Sequence, residues 1–280
     1  MNEKINFAFF GTPDVASETL EILKQNGYTP SLIITSPDAR KGRGLQVQES
    51  PVAIFAQANN IPCLKPEIFD NEFAFKLSTF DFQILIVIAY GKKLPEEVLA
   101  MPKLGAINVH YSLLPKYRGA SPVESAILNG DTETGISIQK MILKMDAGPI
   151  IAQEKTAILP DEKAPDLRKR LIKIGAELLV KTLPDFINGK IIPIPQDENI
   201  ATQCKKIKKE DGLVNLEVEP PKILYNKFRA YANWPRIFFF KDNKRVIITE
   251  AILEDNEFKI KKVLPEGKKE IAWEIFNILK

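Results

Sequence analysis

INFAFFGTPDVASETLEILKQNGYTPSLIIT, residues 5–35, decides the architecture. Residues 5–10 are an apolar run closed by Gly11, the pattern of a strand buried on both faces. Thr12 is placed to cap a helix whose first residue is Pro13. Val15, Ala16, Thr19, Leu20 and Leu23 fall on one face of that helix, and Asn26-Gly27 stops it. Residues 31–35 then form the next strand. Strand, helix, strand in immediate succession is a β-α-β unit. It predicts an α/β fold with a Rossmann-like, mostly parallel sheet and helices on both faces.

The rest of the chain extends this pattern. Residues 36–50 (SPDARKGRGLQVQES) lack apolar periodicity and read as a long mobile loop. Pro51 opens a helix running to Ala58, residues 61–64 suggest a short strand, and a helix lies near 70–78. ILIVIAY (84–90) is the most apolar strand and belongs at the centre of the sheet. Pro95 opens a short helix and GAINVH (105–110) is the next strand. Ser121-Pro122 begins a helix that Asn129-Gly130 ends. TGISIQKMI (134–142) alternates, as a half-exposed strand should, and 149–156 can return beside it. Pro165 opens a long helix with Leu167, Leu171, Ile174 and Leu178 on one stripe.

The texture changes after residue 188. Residues 189–206, with Pro193 and Pro195, read as a linker between a first domain (1–188) and a small second one (207–280). The second carries β-rich runs at 213–218, 236–240, 245–252 and 257–263, with one helix at 220–231. Several short strands in so small a domain predict a compact β-barrel, OB-like.

Bulk properties exclude several classes. The chain has 280 residues, 45% apolar and 27% charged, ordinary for a soluble globular protein. Its longest apolar run, 84–90, is far short of the ~18 residues that span a bilayer, and the N-terminal run is too short for a signal peptide. Cys63 and Cys204 stand too far apart in sequence for a zinc motif or a disulfide framework. The expectation is a cytoplasmic protein without a metal, not bound to a membrane, and monomeric. No G-x-G-x-x-G follows the first strand and no G-x-x-x-x-G-K-[ST] occurs anywhere, which disfavours a dehydrogenase or NTPase. Charge is uneven: residues 203–280 carry 17 Lys/Arg against 12 Asp/Glu, while the chain as a whole is only +3. A basic terminal domain points to a polyanion partner, or equally to a solvated lysine-rich surface.

His110 is the single histidine. It closes a predicted strand at its C-terminal end, the edge where open α/β sheets bind ligands. Asn108, two residues earlier, shares its face. An amide can donate to a developing oxyanion, and an imidazole can shuttle a proton near neutral pH. A lone histidine ending a strand can also be purely structural. Asp146, in KMDAGPII between the two hairpin strands, could approach the same place and orient the imidazole. Taken in isolation, an Asp shortly before Gly reads as a turn residue.

Residues 107–151 read INVHYSLLPKYRGASPVESAILNGDTETGISIQKMILKMDAGPII. This segment resembles the core signature of the folate-dependent formyltransferase family: Asn, His two residues on, S-L-L-P, and a distant D-x-G turn. The resemblance implies Asn108, His110 and Asp146 as the catalytic set. It implies a 10-formyltetrahydrofolate donor held at Ala89, Tyr90 and Gly91 and at the turn of Ser112, Leu113, Leu114 and Pro115. FFGTPD at the start, RGASP at 118–122, and FRAYANWP at 228–235 narrow the likeness to members whose acceptor is methionine on initiator tRNA. It further implies that Arg40, Lys41 and Arg43 in the G-R-G loop meet the acceptor stem, and Lys205, Lys206, Lys208 and Lys209 would attract the tRNA backbone. Tyr111 stands where the family often has Gly. GPIIAQ (148–153) is closer to the glycinamide ribonucleotide branch, and the C-terminal domain reads as short by a strand. The alternatives are another enzyme of the same fold (acting on glycinamide ribonucleotide or a nucleotide sugar), a formyl-folate hydrolase, or a noncatalytic RNA-binding module.

Overall fold

The computed structural model describes residues 5–41 and 46–278, with the side chain of Lys41 outside that description. The chain opens with β1 (Phe7–Gly11), α1 (Asp14–Gln25) and β2 (Leu32–Ile34). β3 (Ala39–Lys41), β4 (Gln46–Gln48), α2 (Pro51–Ala58), β5 (Cys63–Leu64), α3 (Asn71–Ser78), β6 (Ile84–Ile88) and α4 (Glu96–Ala100) follow. Next come β7 (Ala106–His110), β8 (Arg118–Gly119), α5 (Pro122–Leu128), β9 (Glu133–Lys140), β10 (Ile150–Ala157) and α6 (Ala164–Ile187). The C-terminal part holds β11 (Gln203–Cys204), α7 (Pro221–Ala230), β12 (Phe238–Lys241), β13 (Lys244–Glu254), β14 (Glu257–Pro265), β15 (Ile271–Ala272) and α8 (Trp273–Ile278).

Cα packing separates two compact units. One comprises Met1–Arg118, Gly135–Glu154 and Leu171–Ala201, and the other Gly119–Thr134, Lys155–Arg170 and Thr202–Lys280. The first is built on a seven-stranded sheet in the order β10-β9-β7-β6-β1-β2-β5. β6 is the middle strand, and β7, β6, β1, β2 and β5 run parallel, as the opening β-α-β predicts. All residues of β1 and β6 are buried, because helices cover both faces of a parallel sheet. Gly11 ends β1 where a Cβ would lie 2.6 Å from that of Ala16, so only glycine lets α1 pack this close to the strand end.

Four local expectations change. Thr12 is not the cap of α1. Pro13 takes that position without a side-chain bond, and the Thr12 hydroxyl instead donates to the Tyr90 carbonyl at 3.1 Å and lies 3.0 Å from Ser36 Oγ, tying three strand ends together. The region read as a mobile loop at 36–50 contains the antiparallel pair β3–β4, with Arg40 opposite Val47; residues 42–45 lie outside the described part. β9 is not half-exposed: its six central residues are buried. It lies inside the sheet between β7 and β10, and α6 covers it so closely that a Cβ on Gly175 would touch Ile136 at 3.5 Å. Finally, 213–218 is not a strand. Only Leu213 bridges, to Phe238, because Asn215 and Glu219 side chains bond the backbone N–H groups of Glu217 and Asn215 at 3.0 and 2.9 Å and form a local turn in place of a ladder.

The second unit carries an antiparallel four-stranded sheet, β12-β13-β14-β15. Two tight hairpins order it. Asp242-Asn243 and Asp255-Asn256 each have positive φ at both residues, the two-residue turn whose twist suits an antiparallel pair. α7 packs on α5, where the Asn226 amide donates to Leu128 O at 3.3 Å.

Candidate active site

β7 delivers Asn108 and His110 to one face at the C-terminal end of the sheet. β9 runs beside it with Gln139 opposite Asn108 and Ser137 opposite His110. Directly opposed residues share a face. The polar positions that make β9 look solvent-facing are therefore turned toward the histidine.

His110 is 5% exposed. Its Nε2 lies 2.9 Å from the carbonyl oxygen of Tyr117. A carbonyl only accepts, so Nε2 carries a proton. Nδ1 faces Asp146, with Oδ2 at 3.7 Å. That distance is too long for a direct hydrogen bond. The other carboxylate oxygen of Asp146 accepts from Gln139 Nε2 at 3.0 Å. In a neutral ring Nδ1, the nitrogen beside the carboxylate, is thus the one without a proton. Asp146 itself has φ +51°, an uncommon conformation for a non-glycine residue. Gly148 lets the loop fold back, since a Cβ there would run into the Lys140 carbonyl.

The turn after β7 is held from beneath. The Ser137 hydroxyl donates to Ser112 O at 2.7 Å and accepts from Leu114 N at 2.9 Å. Gln153 Nε2 donates to Leu114 O at 2.8 Å, and Ser112 Oγ to Lys116 O at 2.6 Å. The Leu114–Pro115 peptide is cis. One strand over, Val87 of β6 pairs with Asn108, so Ala89, Tyr90 and Gly91 leave the sheet beside His110. Ala89 and Gly91 both have positive φ. Tyr90 turns inward: its ring meets Phe10 edge-on at 5.2 Å, and burial pushes its phenol up to about 12. Its side chain belongs to the core, and the exposed residue of this strand end is Ala89.

Asn108, His110 and Asp146 therefore come together in the first unit, with the Ser112–Pro115 turn and the end of β6 adjoining them. Arg40 is exposed on β3, while Arg43 and the side chain of Lys41 lie outside the described residues. Lys205, Lys206, Lys208 and Lys209 are all exposed in the second unit. Ser137, Gln139, Gln153 and Tyr117 escaped the sequence reading. The only signal for the first two was the polar alternation of β9, which reads as a water-facing edge. Among the described residues, no group of three or more His, Cys, Asp or Glu could hold a metal ion, and no helix is long and apolar enough to cross a membrane.

Residues 3–183 match the family model described as formyl transferase, and residues 206–272 match the formyl transferase C-terminal domain. A methionyl-tRNA formyltransferase of Thermotoga neapolitana is 39% identical over 249 residues, covering 89% of this chain and 79% of the relative. One from Moorella thermoacetica is 36% identical over 252 residues, covering 90% and 81%. Among solved structures, a methionyl-tRNA formyltransferase from Clostridium thermocellum matches with TM-score 0.61 at 16% identity, over 96% of this chain and 99% of that one. An N-formyltransferase from Helicobacter canadensis, solved with folinic acid and dTDP-3-aminofucose, matches with TM-score 0.68 at 19% identity over 90% and 88%.

Proposed function

Because the chain belongs to the formyl transferase family, we propose that it moves the formyl group of 10-formyltetrahydrofolate onto the α-amine of methionine carried by initiator tRNA. The observation that supports this most is the pairing of a buried imidazole, its Nδ1 turned to Asp146 at 3.7 Å, with the Asn108 amide two residues away. The folate donor would lie against the backbone of Ala89, Tyr90 and Gly91 and the turn of Ser112, Leu113, Leu114 and Pro115. The methionine amine attacks the formyl carbon, and negative charge develops on the formyl oxygen. Asn108 and a protonated Nδ1 of His110 stabilise that oxygen. Asp146 keeps the ring oriented and takes up the amine proton, directly or through water. The carbon–nitrogen bond to tetrahydrofolate then breaks, and a proton returns to the folate nitrogen.

In this reading residues 1–188 carry the chemistry and 207–280 bind tRNA. Arg40, Lys41 and Arg43 meet the acceptor stem, and the lysines at 205, 206, 208 and 209 attract the phosphate backbone. The chain works as a monomer in the cytoplasm and needs no metal. The test is a formyl-transfer assay with 10-formyltetrahydrofolate and one of four acceptors: Met-tRNA, glycinamide ribonucleotide, a dTDP-amino sugar, or water alone. Fast transfer to Met-tRNA only supports the proposal. Preference for the nucleotide sugar or for glycinamide ribonucleotide, or simple hydrolysis, replaces it with one of the other readings.

A further inference from the structure

The segment read as a linker reaches back into the site. Gln196 donates both protons of its amide to backbone carbonyls that flank the candidate catalytic carboxylate: Asp146 O at 2.9 Å and Gly148 O at 2.7 Å. The same nitrogen lies 3.4 Å from Oε1 of Gln139, the residue that holds Asp146 Oδ1. The amide cannot be turned over. Its oxygen accepts from Arg118 Nε at 3.0 Å and Nη2 at 2.8 Å, and a guanidinium only donates. Arg118 is 1% exposed, and its charge is met by the Glu198 carboxylate at 2.9 and 3.1 Å. Hydrogen bonds from Arg118 and then Lys144 hold that carboxyl down at about 2, so it stays ionised at neutral pH.

This arrangement answers a structural need. Asp146 is held at φ +51°, a backbone state that costs free energy for a non-glycine residue and persists only where its surroundings enforce it. The 144–148 loop would otherwise present its carbonyls to water and let the carboxylate drift from His110. Small displacements of a reacting group have large kinetic effects.

We infer that Gln196, fixed by Arg118, is a positioning residue that sets the Asp146 carboxylate against His110 Nδ1. The inference rests on the proposed catalytic role of Asp146. Gln196 hydrogen-bonds to the loop and Arg118 to Gln196, so both act through the loop.

The test compares Gln196→Leu, Asp146→Asn and the double variant of the full-length protein in the Met-tRNA assay, with kcat and both KM values measured. Gln196→Leu is expected to lower kcat by about 10–100-fold, up to the ~10²-fold that a misplacement of about 1 Å can cost. Both KM values should stay within about twofold, because ground-state binding is untouched. The double variant should be no slower than Asp146→Asn alone, since nothing is left to position. Gln196→Glu keeps an acceptor for Arg118 but sets a carboxylate against two carbonyls. It should show the same kcat loss and carries the test if the leucine variant does not fold. Wild-type kcat in the Gln196 variants beside an inactive Asp146→Asn overturns the inference alone. So does a loss confined to KM, or one that adds fully to that of Asp146→Asn. Near-normal turnover of Asp146→Asn overturns the underlying reading and the inference with it.

Discussion

The surroundings of His110 and the basic segments use polar side chains in opposite ways. Around His110 hydrogen bonds fix Nε2 to Tyr117, Asp146 to Gln139, and the following turn to Ser137 and Gln153. Arg40 and the lysines at 205, 206, 208 and 209 stand exposed on short strands and irregular chain. The contrast matches what each proposed task requires. Stabilising charge on a transition state needs donors already fixed in direction. Attraction to a polyanion needs only charge within reach, and its strength comes from counterion release.

The largest expected effect breaks the fixed region. Asp146→Asn and His110→Asn should each lower kcat for formylation by at least about 10²-fold, the usual cost of removing one such group. Stopped or quenched assays under saturating substrate would measure this, and near-normal rates would erase the distinction between the two regions.

A second, smaller effect sharpens it. Ser137→Ala removes the hydroxyl that bonds both Ser112 O and Leu114 N. Stability should fall by about 1–3 kcal/mol, the cost of leaving a buried partner unpaired. The KM for the folate donor should rise more than kcat falls if, as proposed, the turn binds the donor and does not react. Denaturant titration and steady-state kinetics check the two parts.

The smallest expected effect lies in the exposed region. Replacing Lys205, Lys206, Lys208 and Lys209 together by alanine should leave kcat at saturating tRNA unchanged. It should weaken tRNA binding and flatten its dependence on salt, each lost phosphate contact removing about 0.7–0.9 from the slope of log K against log salt. An unchanged slope would mean that these lysines are only a hydrated surface.

Much of the frame was legible because it rests on local pattern. The apolar runs of β1 and β6 and the glycines and prolines bounding the helices each act over a few residues. Asn108 and His110 were legible for the same reason, since a spacing of two on a strand means one face. Elsewhere the decisive contacts are distant in sequence. Ser137 and Gln139 read as a water-facing edge, yet face the histidine because β9 inserts between β7 and β10. Gln196 sits among prolines in an apparent tether, and nothing local marks it as a partner of Arg118. At 213–218 the β-rich composition suggested a strand, but Asn215 and Glu219 offered the backbone nearer partners. The small C-terminal sheet was legible as β structure, while its β15 and α8 were not, because two residues and one short helix leave little periodicity.

The most direct test uses the fact that the chain has one histidine. In untagged protein labelled with ¹⁵N, the two imidazole nitrogens give a single unambiguous pair of signals. When the ring is neutral, the proton is expected on Nε2, bonded to the Tyr117 carbonyl, with Nδ1 bare. A neutral ring protonated at Nδ1 would contradict the account, because the nitrogen facing Asp146 would then not be the bare one.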